Sequence, residues 1–540
     1  MDRSTDIPVT DLFVIGGGIN GCGIARDAAG RGLSVTLAEM NDLASATSSA
    51  STKLFHGGLR YLEYFEFRLV REALLEREVL LKNMPHISWP MRFVLPYHAE
   101  MRFESDTPTS RLLGLTMPWM KGRRPDWLIR MGLFLYDNIG RRGILPGTTT
   151  IDLRSAPEGA PLEDRFEKAF EYSDCWIEDS RLVVLNARDA EKRGATILTR
   201  TEVISAEVVE GFWHVIIRDT ETGATTEHRA RMLVNAGGPW VGDILRTKVR
   251  RNAREGVRLV RGSHIITRRL FDHEKCYFFQ GTDGRIVFAI PYETDFTLIG
   301  TTDVEHEDPD QKPYCTPEER DYLIGFVNQY FKRDISADDI VHTYSGVRPL
   351  YDDGASSATA ATRDYVLKVD RSAGAPLLNI FGGKITTYRR LAESALAKIA
   401  GEIDVTKGSW TAEAPLPGGN FPVDGVASQV AALKSDYDFL DDRWALRLVR
   451  AYGTEAGAVL GGAASKEALG EDFGATLTAA EVRWLMAREY ARTAEDVIWR
   501  RNKLGLRLSP EQVTALDAWM AAERGAKASA TDREGGQDGA

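Results

Sequence analysis

The sequence predicts a mixed α/β (α+β) chain built of a parallel-sheet domain, a separate antiparallel sheet and a helical C-terminal domain. Three observations carry this. A short apolar run, Leu12–Ile15, enters a glycine-rich turn, a helical stretch to Ala29 and a second strand, Ser34 to Ala38, giving a βαβ opening. Between Val257 and Thr302, short β-rich runs (264–267, 286–290, 296–299) recur without intervening helices, as in an antiparallel sheet. After Leu391 the chain becomes rich in Ala, Leu, Glu and Arg at helical spacing as far as about Ala522.

The remaining elements follow in order. Leu69, Ala73, Leu74, Leu80 and Leu81 form one apolar stripe over 66–81, so an amphipathic helix is expected, ended at Asn83-Met84-Pro85. Segment 100–147 interleaves Trp119, Met120, Trp127, Ile129 and Leu133 with Lys121, Arg123, Arg124, Arg130, Arg141 and Arg142, and is expected at the surface. Alternating strands over 203–209 and 213–218 lead to a buried strand that ends in Asn235-Ala236-Gly237-Gly238. The last stretch, 524–540, is Gly-, Ala- and Asp-rich and is expected to be disordered.

Bulk properties narrow the function. At 540 residues the chain needs several cores. A net charge of −10 gives no basic field for nucleic acid. Cys22, Cys175, Cys276 and Cys315 are scattered, which argues against zinc, an iron–sulfur cluster or a disulfide framework and fits a reducing cytosol. The first ten residues carry no apolar targeting core, and no apolar run reaches the roughly 20 residues a spanning helix needs, so any membrane contact is expected to be peripheral.

The chemistry-bearing motif is Gly16-Gly17-Gly18-Ile19-Asn20-Gly21, a GxGxxG between a strand and a helix, with Glu39 about 20 residues on. Gly16 permits the tight turn, Gly18 the approach of a pyrophosphate, and Gly21 the packing of helix on strand. The helix N-terminus offers free N–H groups and positive dipole, and Glu39 would accept from an adenosine ribose. A dinucleotide site is therefore predicted, with FAD or NAD undecided by the motif. The late turn at Ala236 and Gly237, which brings backbone towards the same nucleotide, favours FAD.

The segment 44–63, ASATSSASTKLFHGGLRYLE, resembles the signature of FAD-dependent glycerol-3-phosphate dehydrogenases. Further blocks are similar to that family: YSGVRPL at 344–350, TRDY at 362–365, FGGKITTYR at 381–389 and TAEDVIWRRNKLGL at 493–506, so that the likeness runs from about 11 to about 520. The resemblance implies a fold of the D-amino acid oxidase type, with a Rossmann-like FAD domain assembled from separate segments and a helical cap. Expected boundaries are 8–95, 151–250 and 346–400 for the FAD domain, 96–150 for a basic, aromatic membrane-contact segment, 251–345 for the substrate domain and 401–523 for the cap. It implies oxidation of sn-glycerol 3-phosphate to dihydroxyacetone phosphate, with electrons passed to membrane quinone at the cytoplasmic face, and leaves a homodimer open. Mitochondrial members carry calcium-binding loops of D-x-D-x-D-G type, which this sequence lacks. Hydrogen-peroxide-forming oxidases share these blocks, and an amino-acid or 2-hydroxy-acid oxidoreductase of the same fold, or a flavin-binding scaffold without turnover, are the alternatives.

A phosphate dianion needs several fixed cations, and the blocks supply Arg60, Arg348, Arg363 and Lys384, with Tyr61 as a hydroxyl donor. Lys384 follows Gly382-Gly383, a turn that could receive the flavin, and serves substrate, isoalloxazine or both; Thr386 follows it. His264, on a strand of the substrate domain, is the first choice for the proton acceptor. His56 beside Gly57 is placed at the flavin, Ser48, Ser49 and Lys53 at phosphate or ring edge, and Val203 at the adenine.

Overall fold

A computed structural model describes residues 7–99, 101, 107–110, 115, 124–140, 143–251, 256–281, 284–352 and 364–535. The βαβ opening is β1 (Val9–Ile15), α1 (Ile19–Gly30) and β2 (Val35–Ala38). Each strand is buried on both faces at its C-terminal end, which is why its residues run apolar rather than alternate. Five parallel strands lie in the order Leu377–Phe381, Thr225–Asn235, β1, β2, Thr196–Leu198. Antiparallel strands flank them: Val366–Asp370 at one edge, and the meander Thr201–Val209, Phe212–Asp219 running into Thr225–Asn235. α1 packs against Asp179–Lys192 and Tyr388–Ile399 on one face of this sheet, and Leu12, Val14, Ile24, Ala28, Leu37, Val184 and Leu396 share its core.

The second sheet is larger than the sequence suggests. Its order is Val304–His306, Val257–Arg268, Phe296–Gly300, Ile286–Tyr292, Cys276–Gln280, Ser88–Tyr97, Lys168–Ile177 and Leu54–Phe55, with Ile340–Tyr351 also paired along Val257–Arg268. The segments 54–55, 88–95 and 168–177, which the expected boundaries assign to the FAD domain, thus contribute strands to the second sheet. Cys276–Gln280 pairs in parallel with Ser88–Tyr97, Cys276 opposite Phe93, a junction between segments distant in sequence that no local pattern encodes.

α2 (Phe67–Asn83) forms as expected, with Leu69, Val70, Ala73, Leu74, Leu80 and Leu81 inward. In the segment expected at the surface, the helix Asp126–Ile139 is two-faced. Ile129, Leu133 and Tyr136 are buried against α2 and the second sheet, whereas Trp127, Met131, Phe134 and Leu135 are exposed. Arg124, expected as a surface cation, pairs with Glu63 and donates to Gln280 Oε1 at 2.8 Å. Met117, Trp119, Met120, Lys121, Arg123, Arg141 and Arg142 lie outside the described residues.

The C-terminal domain is helical around its own core of Trp444, Leu448, Val482, Leu485, Val497, Leu516 and Met520. Its last helix, Pro510–Gly535, runs into the stretch expected to be disordered, and 536–540 lie outside the described residues. Alanine is the best helix former, so an Ala-rich stretch with few apolar anchors can still extend a helix whose first turns are packed.

Candidate active site

The dinucleotide cradle starts where β1 ends. Gly16 has φ +109°, and a Cβ there would lie 2.5 Å from the Ala236 carbonyl oxygen, so the turn tolerates only glycine. The Gly17 amide donates to Glu39 Oε2 at 2.7 Å, and the Asn41 amide donates to Oε1 at 2.9 Å. Burial raises the Glu39 carboxyl above the usual range, opposed by these two amides. Gly18 caps α1 without a side-chain bond to the helix end. A Cβ at Gly18 would meet only Ser48 Oγ, at 3.2 Å, while one at Gly21 would lie 2.0 Å from the Gly16 carbonyl oxygen. Gly18 therefore leaves open the space above the helix N-terminus, and Gly21 serves packing. Ser48 Oγ accepts from the Ile19 amide at 3.0 Å, tying the 44–52 segment to that end of the helix.

Gly382 (φ +70°) and Gly383 (φ +107°) make a left-handed turn before the Ile385–Thr387 helix, and Asn20 Nδ2 donates to the Gly382 carbonyl at 3.1 Å. Lys384 Nζ sits 3.7 Å from the centre of the Tyr61 ring. Arg60 and Tyr61 lie on the short helix Leu59–Tyr64, entered through Gly58 at φ +74°. Thr386 Oγ1 accepts from the His56 amide at 3.4 Å, so the two segments face each other.

Arg348 and His264 are brought together by sheet register. Arg348 lies opposite Val260 and Tyr344 opposite His264, so these positions, four residues apart on paired strands, share a face. Gly262 and Gly346 lie between them; a Cβ at Gly346 would stand 2.6 Å from Ala50 Cβ, so the glycine admits the 44–52 segment. Arg348 Nη2 donates to the Thr302 carbonyl at 2.9 Å and to Asp303 Oδ1 at 3.1 Å. His264, 2% exposed, stacks on Tyr344 with ring centres 4.6 Å apart, and its Nε2 is 3.0 Å from Thr52 Oγ1. Burial, with Lys53 and Arg348 adding positive potential, holds this imidazole down to about 3, hence neutral.

One continuous cavity of about 1430 Å³ joins these parts. Among the expected residues, Gly16, Gly18, Glu39, Ser48, His56, Arg60, Tyr61, Val203, Ala236, Gly237, His264, Arg348, Gly382, Gly383, Lys384 and Thr386 line it. Four others do not. Lys53 is turned away: its ammonium is buried on Asp179 at 2.8 and 2.9 Å and on the Ser49 carbonyl at 3.0 Å, while the preceding Thr52 points to His264. Ser49 Oγ donates to Ala46, the Gly57 amide to Tyr136 Oη, and Gly21 packs under the turn. Arg363 lies outside the described residues. The sequence reading missed Asn20, Thr52 and Arg285, the last a further cation on the cavity wall. Asn20 and Thr52 sit inside the blocks already singled out, so their place there was the available signal.

The profile of the FAD dependent oxidoreductase family matches residues 11–389, and that of the C-terminal domain of alpha-glycerophosphate oxidase matches 409–528. The chain is 49% identical to D-erythritol 1-phosphate dehydrogenase of Brucella abortus, covering 94% of this chain and 97% of that one, and 47% identical to glycerol-3-phosphate dehydrogenase of Pseudomonas aeruginosa, covering 95% and 96%. The chain belongs to the FAD-dependent glycerol-3-phosphate dehydrogenase family. A crystal structure of the glycerol-3-phosphate dehydrogenase from Bacillus halodurans complexed with FAD superposes with a TM-score of 0.72 at 28% identity, over 95% of this chain and 90% of that one. The fold is the D-amino acid oxidase type expected from the resemblance, and the family's FAD fits the cradle observed here: a glycine-lined opening above the α1 N-terminus, with the Glu39 carboxylate at the end of β2.

Proposed function

We propose that this protein oxidises sn-glycerol 3-phosphate to dihydroxyacetone phosphate, with FAD as cofactor. The observation that carries the reading is the set of cations on the wall of one cavity, Arg60, Arg348 and Lys384, reached by the same space as the dinucleotide cradle and His264. A monocarboxylate would need one guanidinium clamp; a phosphate dianion needs several charge-assisted contacts. Bound FAD supplies the two-electron acceptor. Arg348, fixed on a sheet strand and restrained by Thr302 and Asp303, and Arg60 and Lys384, on glycine-entered turns, hold the phosphate and set the C2–H in position. Oxidation releases the C2 hydrogen as hydride and the hydroxyl hydrogen as a proton, and neutral His264 takes the proton. The burial that keeps the ring neutral also makes the imidazolium costly, so the proton has to leave the site within each turnover.

Electrons pass on to membrane quinone, and the protein works as a peripheral protein on the cytoplasmic face. Exposed Trp127, Met131, Phe134 and Leu135 on one side of the helix Asp126–Ile139 support a contact with the lipid interface. Among the described residues, no helix is long and apolar enough to cross a membrane.

The 49% identity to a D-erythritol 1-phosphate dehydrogenase favours a second reading, in which a four-carbon polyol phosphate is the better substrate. Anaerobic bleaching of the bound flavin decides both. Full reduction by sn-glycerol 3-phosphate at a higher kcat/KM than D-erythritol 1-phosphate supports the first reading, the reverse order supports the second, and a flavin reduced by neither overturns both.

A further inference from the structure

Several buried ion pairs join the C-terminal domain to the dinucleotide-binding domain, Arg181 on Glu489 among them, and the one that reaches the cofactor side is centred on Asp42. Asp42, 1% exposed, lies in the loop that follows β2. Three guanidinium groups converge on it. Arg501 donates to both of its oxygens at 2.7 Å, Arg500 Nε donates to Oδ2 at 2.6 Å, and Arg200 Nη1 stands 3.4 Å from Oδ1. Arg200 and Arg500 reach across to Asp496 as well, which also accepts from the amides of Arg492 and Thr493 at 2.8 and 3.0 Å. Arg501 is further fixed by the Glu489 carbonyl at 2.8 Å. Charges so withdrawn from water persist only in a fixed geometry, because each loses more than it gains if a partner moves.

The opposite side of the same loop lines the cavity through Met40, Asn41, Ala44, Ser45, Thr47 and Ser48. It is bonded to the glycine turn at two places: Glu39 takes the Gly17 amide, and the Ala44 amide donates to the Gly17 carbonyl at 3.2 Å. Ala44 is in the left-handed region at φ +59°, a conformation that a non-glycine residue holds only when its surroundings impose it. The loop shape that meets the cofactor is thus set from behind, by residues more than 450 positions away in sequence.

We propose that Arg500 and Arg501 are positioning residues for the cofactor: by clamping Asp42 they hold the 39–48 loop in the shape that receives FAD, so that docking of the C-terminal domain and affinity for FAD are coupled. Coupling between two sites is reciprocal, so FAD in turn tightens the C-terminal clamp. The coupling is independent of which polyol phosphate is oxidised.

The test combines a variant pair with a measurement on the unaltered chain. Arg500→Gln leaves Arg501 on Asp42, and Arg500→Lys keeps a charged donor. FAD is titrated into the flavin-stripped proteins by fluorescence, with melting temperatures recorded before FAD is added. Arg500→Gln should raise the Kd for FAD by about 10-fold or more, and Arg500→Lys should restore it to within about threefold of the parent. In the unaltered protein, hydrogen exchange of 489–503 should slow on adding FAD, while exchange of 461–475, a segment of the same domain whose ion pair Lys466–Asp472 is internal to it, should not change. Equal exchange of 489–503 with and without FAD would overturn the coupling even if the variants fail to fold. A Kd unchanged by Arg500→Gln, with only the melting temperature lowered, would reduce the cluster to a structural clamp and overturn it likewise.

Discussion

Two glycines of one motif should fail in different ways when a methyl group is added. A Cβ at Gly21 would stand 2.0 Å from the Gly16 carbonyl oxygen and 3.1 Å from its carbon, both backbone atoms of a turn anchored by the Gly16 amide on the Ala38 carbonyl at 2.9 Å. Neither atom can retreat without parting β1 from α1. Overpacking of a close-packed site costs about 1–3 kcal/mol, and with backbone as the obstacle Gly21→Ala should reach the upper end, lowering the melting temperature by about 6–12 °C. Gly18 differs. Its backbone (φ −81°, ψ −176°) suits any residue, and its Cβ would meet only Ser48 Oγ at 3.2 Å. Gly18→Val should therefore leave the flavin-free protein melting within about 3 °C of the parent, since a strain-free glycine replacement changes stability by under about 1 kcal/mol. The added methyls stand where a pyrophosphate must approach, so the purified variant should be colourless. Flavin-to-protein absorbance ratio and melting of the stripped proteins distinguish the two. A Gly18→Val protein with full flavin content, or a Gly21→Ala protein as stable as the parent, would refute the division of roles.

Arg348→Ala should lower kcat/KM for sn-glycerol 3-phosphate by about 10- to 100-fold, the worth of one or two charge-assisted contacts, and should scarcely affect oxidation of glycerol; equal losses on both would remove Arg348 from the phosphate. Acid stability should report the buried imidazoles. His264 and His86 are both held down to about 3 by burial, whereas the unfolded rings take a proton near 6.5, so the unfolded state binds more protons in between. Their contribution to stability is complete above about 6.5 and is lost as pH falls towards 3, and His264→Asn should shallow the slope of unfolding free energy between pH 6 and 4 by the share of that one ring. An unchanged slope would mean that the ring is not held neutral by its surroundings. Trp127→Ser with Phe134→Ser should weaken binding to anionic lipid vesicles by about 100-fold at unaltered flavin content, since each ring withdrawn from the interface costs about 1.5 kcal/mol; undiminished binding would place the lipid contact elsewhere.

The sequence by itself determined whatever depends on neighbours along the chain. The βαβ opening, the helix 67–83, the meander 201–219 and the helical C-terminal domain were legible because strand and helix periods and glycine spacing are local signals. The glycine cradle and Glu39 were legible for the same reason, as was the family through its blocks. What only the tertiary structure decided depends on contacts that no short window contains. Ser88–Tyr97 lies almost wholly inside the segment assigned to the first domain, but its partners Cys276–Gln280 and Lys168–Ile177 are chosen by sheet assembly, and that choice places it in the second sheet. Arg348 and His264 share a face through the register of two paired strands. Lys53 and Thr52 stand in one block, yet one is drawn to Asp179 and the other to His264, because a buried ammonium must find a carboxylate and the backbone turn at Lys53 sends consecutive side chains apart. Ile129 and Leu133 went inward, and Trp127 and Phe134 outward, because helical position relative to α2 decided the face rather than composition. Asp42 showed nothing in the sequence to mark it, since its meaning lies in three arginines brought to it from two other segments of the chain.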